Sequence, residues 1–349
     1  MSGCLESELR ARTEAGEVPN KVRYIVREDP FGYTLYDRKP LNAKFVRKDQ
    51  LDEVFASDGI TSQECMFLPA RRGDFRDDIL YSPYRIYYEL TLACNLRCKL
   101  CFNSAGQPKQ DELSTQEVFD SLDSLREANV IDLRFTGGEL TMRPDWLGIM
   151  KYAKKLGFVI SCNTNAIFNQ ESGIPEKFAE LGLDQVTVSV DGNRDNHDRN
   201  RGKGSLDQTL KNVQRMRDLG VRLRINTLLT KYSLNDYEFI LELARIHTDE
   251  VNFFTPLFIG RGANREDEFS VTTEESAAFS KKVEELRPKY PGLNILHFMG
   301  STKSRSLNGR TDSLGLQAGP PSGFTTFNLT CDGGIWVGVM FRILMVIGA

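Results

Sequence analysis

From about residue 87 onward, short apolar runs alternate with longer stretches whose apolar residues recur at helical spacing. Residues 87–92 are the first strand candidate. Ser114-Thr115-Gln116-Glu117 is a capping box, and it opens a helix carrying Val118, Phe119, Leu122 and Leu125. A strand at 131–135 follows, then a helix over 146–156 stopped by Gly157. Next come a strand at 158–162 and a short helix opened by Pro175 and ending near Gly182. A strand at 186–190 leads to a loop and then a helix carrying Leu206, Leu210, Val213, Met216 and Leu219. A strand at 221–229, a helix at 237–246 and a strand at 251–254 end the series. Six strands separated by five helices predict an α/β fold, a parallel sheet either open and doubly wound or curled into a barrel.

The flanks break this rhythm. Residues 1–80 hold extended candidates at 22–26, 33–36 and 44–46, the turn Asp29-Pro30-Phe31-Gly32 and a short helix near 51–55. They suit a small α+β extension. Residues 301–323 are rich in Ser, Gly and Pro and read as a linker; a β segment at 324–330 follows, after which the pattern is lost. The expected organisation is therefore an N-terminal domain at 1–80, a core at 81–300 and a short C-terminal region at 301–349.

Composition narrows the class. The 349 residues are 40% hydrophobic and 27% charged, as in a soluble globular protein. A formal net charge of −3 argues against nucleic-acid or anionic-membrane partners. The N-terminus lacks the basic-then-apolar pattern of a signal peptide, and the most apolar stretch, 335–349, is too short to span a bilayer and contains Arg342. The seven cysteines (Cys4, Cys65, Cys94, Cys98, Cys101, Cys162, Cys331) are odd in number and argue against a disulfide framework. A reducing cytoplasm is expected. Cys162, inside a strand, reads as a small buried apolar residue.

Three of these cysteines, Cys94, Cys98 and Cys101, lie within eight residues and are followed by Phe102. Thiolates at that spacing can converge on one soft metal centre, and three ligands leave a coordination position open. In parallel α/β folds the active site lies beyond the carboxyl ends of the strands. The cysteines follow the first strand, and Gly137-Gly138-Glu139 follows the second. Asn163 ends the third, Ser189 lies on the fourth with Arg201 beyond it, and Asn226 lies on the fifth. Gly137 and Gly138 would let a ligand approach the backbone. Glu139 could accept from an ammonium group, Arg201 offers a fork for a carboxylate, and Asn163, Ser189 and Asn226 could bond a sugar. Metal, amino-acid head group and ribose together describe S-adenosylmethionine (SAM). A zinc site would need a fourth ligand from only three histidines, His197, His247 and His297, and would leave Gly-Gly-Glu unexplained. His197 reads as a loop-ordering residue.

Cys-x3-Cys-x2-Cys before an aromatic residue, with Gly-Gly-Glu after the next strand, resembles the radical SAM superfamily over roughly residues 84–260. The resemblance implies a partial (β/α)6 TIM-type barrel. It implies that Cys94, Cys98 and Cys101 hold one [4Fe–4S] cluster whose remaining iron is chelated by SAM. It further implies SAM contacts among Phe102, Gly137, Gly138, Glu139, Asn163, Ser189, Arg201 and Asn226. Electron transfer from the cluster, supplied by a donor such as flavodoxin or ferredoxin, would cleave SAM to methionine and a 5′-deoxyadenosyl radical that takes hydrogen from a substrate. Peptide-modifying members carry an N-terminal winged-helix-like domain that grips a precursor's leader by strand addition, and residues 20–57 resemble a shortened version. They also carry a C-terminal domain for auxiliary clusters. Here Leu316-Gln317-Ala318-Gly319 and Cys331-Asp332-Gly333-Gly334 echo its scaffold, with Leu316 at a ligand position. A degenerate or prematurely ended domain is expected. The expected substrate is a ribosomally made precursor peptide; the alternatives are a cofactor or tetrapyrrole precursor and, in another class, a non-catalytic metal-binding module.

Overall fold

The computed structural model describes residues 4–14, 22–70, 82–298, 325–337 and 341–343. The linker expected at 301–323, with Leu316, and the chain's last residues, 344–349, lie outside them.

Helix α1 (Cys4–Glu14), strands β1 (Tyr24–Asp29), β2 (Gly32–Asp37) and β3 (Asn42–Arg47), helix α2 (Leu51–Asp58) and strand β4 (Cys65–Leu68) form the N-terminal unit. Its sheet runs β3-β2-β1-β4, with β4 parallel to β1. The three expected strands and the helix are present; α1 and β4 were not anticipated. Alternation along β1 explains the packing. Tyr24 and Val26 join Leu9, Leu51 and Phe55 in one core, whereas Ile25 faces Leu41, Tyr84, Ile131 and Val159 in another. That second core fastens the unit to the base of the main sheet.

The main sheet begins with β5 (Arg85–Glu89), α3 (Thr115–Glu127), β6 (Asp132–Thr136), α4 (Trp146–Lys155), β7 (Val159–Thr164), α5 (Ile174–Leu181) and β8 (Gln185–Ser189). It continues through α6 (Arg194–Arg201), α7 (Ser205–Asp218), β9 (Leu223–Leu228), α8 (Tyr237–His247) and β10 (Glu250–Phe254). These are the six expected strands, all parallel. The first ends at Glu89, three residues earlier than expected, because Leu90–Leu92 already turns toward the cysteine loop. The Ser114–Glu117 capping box closes both ways, and Gly182 (φ +57°) ends α5. The loop expected after the fourth strand is instead the helix α6, opened by the Asn193 side chain accepting from the Asn196 amide.

Four strands extend the sheet, one at one edge and three at the other. After α9 (Glu266–Phe269), α10 (Thr273–Leu286) leads to a seventh parallel strand, β11 (Asn294–Phe298), beside β10. At the other edge β12 (Thr326–Leu329) pairs parallel to β5 and continues into β13 (Ile335–Val337) and β14 (Phe341–Ile343), where the sequence pattern had been lost. The tail thus completes the core sheet.

Val186, Val188, Leu133, Phe135 and Ile225 pack under the helices. The intervening residues therefore face the other way. Arg261, just beyond β10, donates to the Cys98 carbonyl, just beyond β5 and five strands away, at 2.9 Å. A flat sheet would separate those strands by about 24 Å, so the sheet is curled into a partial barrel. The N-terminal unit plugs its base. The Leu41 carbonyl accepts from Arg85 (2.6 Å) and Arg134 (3.4 Å), and the Tyr36 hydroxyl donates to Asp132 (2.8 Å). Arg38 pairs with Asp184 at 2.5 Å, and buried Arg27 donates to the Asn129 carbonyl (3.3 Å).

Candidate active site

The cysteine loop starts where β5 leaves the sheet, and local hydrogen bonds shape it. The Gly106 amide donates to the Leu92 carbonyl (2.7 Å) and the Cys94 amide to the Gly106 carbonyl (3.0 Å), closing the loop at its neck. The Glu112 carboxylate gathers the Leu92 and Lys109 amides and the Thr91 hydroxyl, at 2.7 to 3.0 Å. Inside the loop the Leu96 amide points at Cys94 Sγ and the Ala105 amide at Cys101 Sγ, both at 3.4 Å. Such donors favour thiolates. Without a metal, burial pushes the Cys94 thiol up to about 11, reinforced by nearby Glu139, and burial also raises Cys98. All three cysteines are partly exposed, and Phe102 at the loop tip is half-exposed. A cleft of 780 Å³ beside Cys94 and Arg97, between the loop and the start of α3, reaches the loop from outside the barrel.

The loop is held from four sides. The Gly138 amide donates to the Thr91 carbonyl (2.7 Å) and the Glu139 amide to the Ala93 carbonyl (2.8 Å). From beyond β7, Asn165 Nδ2 donates to Asn95 Oδ1 (2.8 Å). From α6, Asn200 accepts the Lys99 and Leu100 amides through its carbonyl and its Oδ1, at 2.9 and 3.0 Å. From beyond β10, the Arg261 guanidinium reaches the Cys98 carbonyl (2.9 Å) and the Ala105 carbonyl (2.5 Å), and its amide reaches the Cys101 carbonyl (3.0 Å). Sequence reasoning missed Asn95, Glu112, Asn200 and Arg261. Arg261 was within reach, because Gly260-Arg261-Gly262 follows the sixth strand as the other rim motifs follow theirs.

Three expected ligand roles change. A Cβ on Gly137 would stand 2.3 Å from the Thr91 carbonyl oxygen, and one on Gly138 2.2 Å from that of Ala93. The glycines make room for the cysteine loop itself, and Gly137 also holds φ +140°. The Glu139 carboxylate is 1% exposed and already accepts from Thr141, from the Thr164 hydroxyl and from the Asn165 amide. It ties the rim of β6 to that of β7 in place of the expected ammonium contact. The Arg201 fork is closed on Asp191, at 2.7 and 3.1 Å, in place of a ligand carboxylate. Its guanidinium still lies beside Cys98 and favours that thiolate.

Asn163, Ser189 and Asn226 are brought together on the inner face of β7, β8 and β9. Ser189 pairs with Asn226 in the sheet register, and Asn226 pairs with Asn252 of β10, which was not anticipated. The buried Oδ1 atoms of Asn226 and Asn252 have no partner among the described residues. Orphaned acceptors on a barrel wall are what donors of a bound ligand would satisfy. His197 is buried, and its Nδ1 accepts from the Asp191 amide at 3.2 Å. Burial, with help from Arg201, lowers it to about 4, so it orders the turn as a neutral ring. Among the described residues no three thiol, imidazole or carboxylate groups gather closely enough to hold a single metal ion. The donor set, three thiols with amide N–H groups directed at two of the sulfurs, fits a multinuclear iron–sulfur cluster with one open position.

The family model of the Radical SAM superfamily matches residues 88–244. The chain is 31% identical over 196 residues to the Fe-coproporphyrin III synthase of Methanosarcina barkeri, covering 55% of this chain and 48% of that one. It is 29% identical over 198 residues to mycofactocin maturase MftC of Mycolicibacterium smegmatis, covering 56% and 50%. The chain thus spans about half the length of the curated relatives it matches. In fold it resembles SuiB of Streptococcus suis, solved with S-adenosylmethionine, at a TM-score of 0.71 and 13% identity, covering 95% of this chain and 85% of that one. It also resembles anSMEcpe with bound AdoMet, at a TM-score of 0.58 and 17% identity, covering 75% and 77%. Residues 88–244, which carry the cysteine loop and most of the barrel strands, thus match the Radical SAM superfamily.

Proposed function

We propose that the protein is a radical SAM enzyme that matures a ribosomally made peptide in the cytoplasm. The observation that carries this reading is the three-thiol loop, locked from four sides at the mouth of a barrel whose inner wall holds unpartnered amide oxygens. Cys94, Cys98 and Cys101 hold the cluster. When bound there, a [4Fe–4S] cluster and SAM supply a one-electron reductive cleavage that generates a 5′-deoxyadenosyl radical for hydrogen abstraction. Gly138, Glu139, Asn200 and Arg261 keep the loop in register with the strand ends. Asn163, Ser189, Asn226 and Asn252 bond and orient the nucleoside part of SAM and the substrate, while the curled sheet excludes water from the reacting atoms. A low-potential donor such as flavodoxin or ferredoxin approaches from the cleft beside Cys94.

A peptide substrate is supported by likeness to mycofactocin maturase MftC and by a solved structure of SuiB bound to precursor peptide SuiA, covering 90% of this chain. A place for a leader segment is available, because among the described residues β3 pairs only with β2 and leaves its other edge open to an added strand. Likeness to AdoMet-dependent heme synthase of Oleidesulfovibrio alaskensis, 34% identical over 163 residues, favours a second reading in which the substrate is a tetrapyrrole precursor. Anaerobic reconstitution followed by dithionite reduction tests the chemistry: 5′-deoxyadenosine is expected, and its absence would leave only a metal-binding module. A short open reading frame for a precursor peptide beside the gene would separate the two substrates.

A further inference from the structure

The inner wall has a lower tier that the SAM contacts leave unused. One strand step of two residues below Asn163, roughly 7 Å deeper, the register runs Tyr87, Arg134, Ser161 and Gln185 across β5, β6, β7 and β8. Arg224 on β9 stands one row up, level with Asn163 through Thr187, its Nε donating to the Thr187 hydroxyl at 3.2 Å. Among the described residues, three guanidiniums, those of Arg85, Arg134 and Arg224, pair with two carboxylates. Arg85 takes Asp132 at 2.5 Å and Arg224 takes Glu250 at 2.8 Å. Arg134 shares Asp132 at 3.4 Å, and among the described residues its other contacts are the Leu41 carbonyl and the face of the Tyr87 ring, 5.7 Å from its centroid, neither of which carries a charge. Glu89, one tier up, is engaged by Asn103 at 2.5 Å. A buried surplus cation is strongly unfavourable unless an anion joins it.

A second observation points to the same ligand. Gln185, on the inner face of β8, is 1% exposed, and neither its Nε2 nor its Oε1 has a partner among the described residues. A buried amide with both ends unpaired marks a place where a polar group belongs. Burial raises the Tyr87 phenol, but Arg134, Arg85 and Arg224 outweigh it and leave the hydroxyl below its ordinary range, a readier hydrogen-bond donor to an anion.

We propose that this lower tier binds a carboxylate of the substrate, with Arg134 supplying the charge and the Gln185 amide and Tyr87 hydroxyl supplying directed donors. The site takes an aliphatic carboxylate on a flexible arm, inserted from the barrel mouth so that the rest of the substrate stays level with the SAM contacts. This rests on the barrel interior being the substrate site of the reading above.

Equilibrium dialysis of the reconstituted full chain with radiolabelled glutarate, and with neutral glutaramide, tests it. One saturable glutarate site per chain and no glutaramide site are expected. Gln185→Glu, which adds a carboxylate and cancels the surplus charge, is expected to weaken glutarate binding at least about tenfold, and Tyr87→Phe roughly threefold to tenfold. Absence of a saturable glutarate site, equal binding of glutaramide, or wild-type affinity in Tyr87→Phe would overturn the proposal; should Gln185→Glu fail to fold, Tyr87→Phe decides alone. Formation of 5′-deoxyadenosine by the same wild-type samples without substrate judges the underlying reading separately. Cleavage without glutarate binding sinks only the carboxylate site.

Discussion

Replacing Gly138 with alanine would set a methyl group 2.2 Å from the Ala93 carbonyl oxygen, and both partners are backbone, so no rotamer change relieves the clash. Gly138→Ala is expected to destabilise the fold by about 1–3 kcal/mol and to lower iron content after reconstitution, read by thermal denaturation and iron assay. Cys98→Ala is expected to abolish 5′-deoxyadenosine formation while leaving the barrel folded; survival of cleavage would remove the triad from the mechanism. The residue scale is also where sequence reading went furthest and slipped most. The cysteines, the glycines and Glu139 were identifiable from spacing alone, because each follows a strand end. Their contacts were not. Glu139 and Arg201 carry the charge that a zwitterionic ligand wants, yet Thr141, Thr164 and Asn165 saturate one, and Asp191 closes the fork of the other. Only the folded chain shows that a donor or acceptor is already taken.

At the scale of elements, β5 to β10 and their helices were legible because apolar periodicity is strong where one face packs on a core. The seventh unit left a comparable signal that went unread: Thr272 and Glu275 form a capping box, and Phe279, Val283 and Leu286 are buried at helical spacing. Helix α6 was illegible for a physical reason. Its sequence, RDNHDRNR, has almost no apolar stripe, and its inward face is held by polar contacts of Asn200 and by buried His197. The interior of the barrel was hidden differently. Alternation in Asp132-Leu133-Arg134-Phe135-Thr136 reveals one polar face, and only the curl of the sheet turns that face inward. Among the elements that hold the loop, the segment after β10 is the most open to test. Arg261→Leu is expected to weaken cluster retention on the order of tenfold with the barrel intact, measured as the rate of iron release to a chelator.

For the whole molecule, the joint between the N-terminal unit and the barrel rests on buried charge. Asp132 is fully buried and serves Arg85, Arg134 and the Tyr36 hydroxyl. Burial alone would raise its carboxyl, but Arg85 and Arg134 hold it below the usual carboxylate range. Its contribution is therefore full at neutral pH and declines only as pH falls through that depressed value. Asp132→Asn leaves two buried guanidiniums without a counter-charge and is expected to cost about 3–5 kcal/mol in denaturant unfolding, with a flatter loss of stability in acid than the wild type. The C-terminal strands carry the count of clusters. Cys331 is buried beside Glu89, and Leu316 replaces the expected ligand, so about four irons per chain are expected; substantially more would contradict a single cluster.

The Leu41 carbonyl, which accepts from both Arg85 and Arg134, makes the floor of the barrel a piece of the N-terminal unit. Loss of that unit would leave two buried guanidiniums short of an acceptor, so the small unit and the barrel stand or fall together.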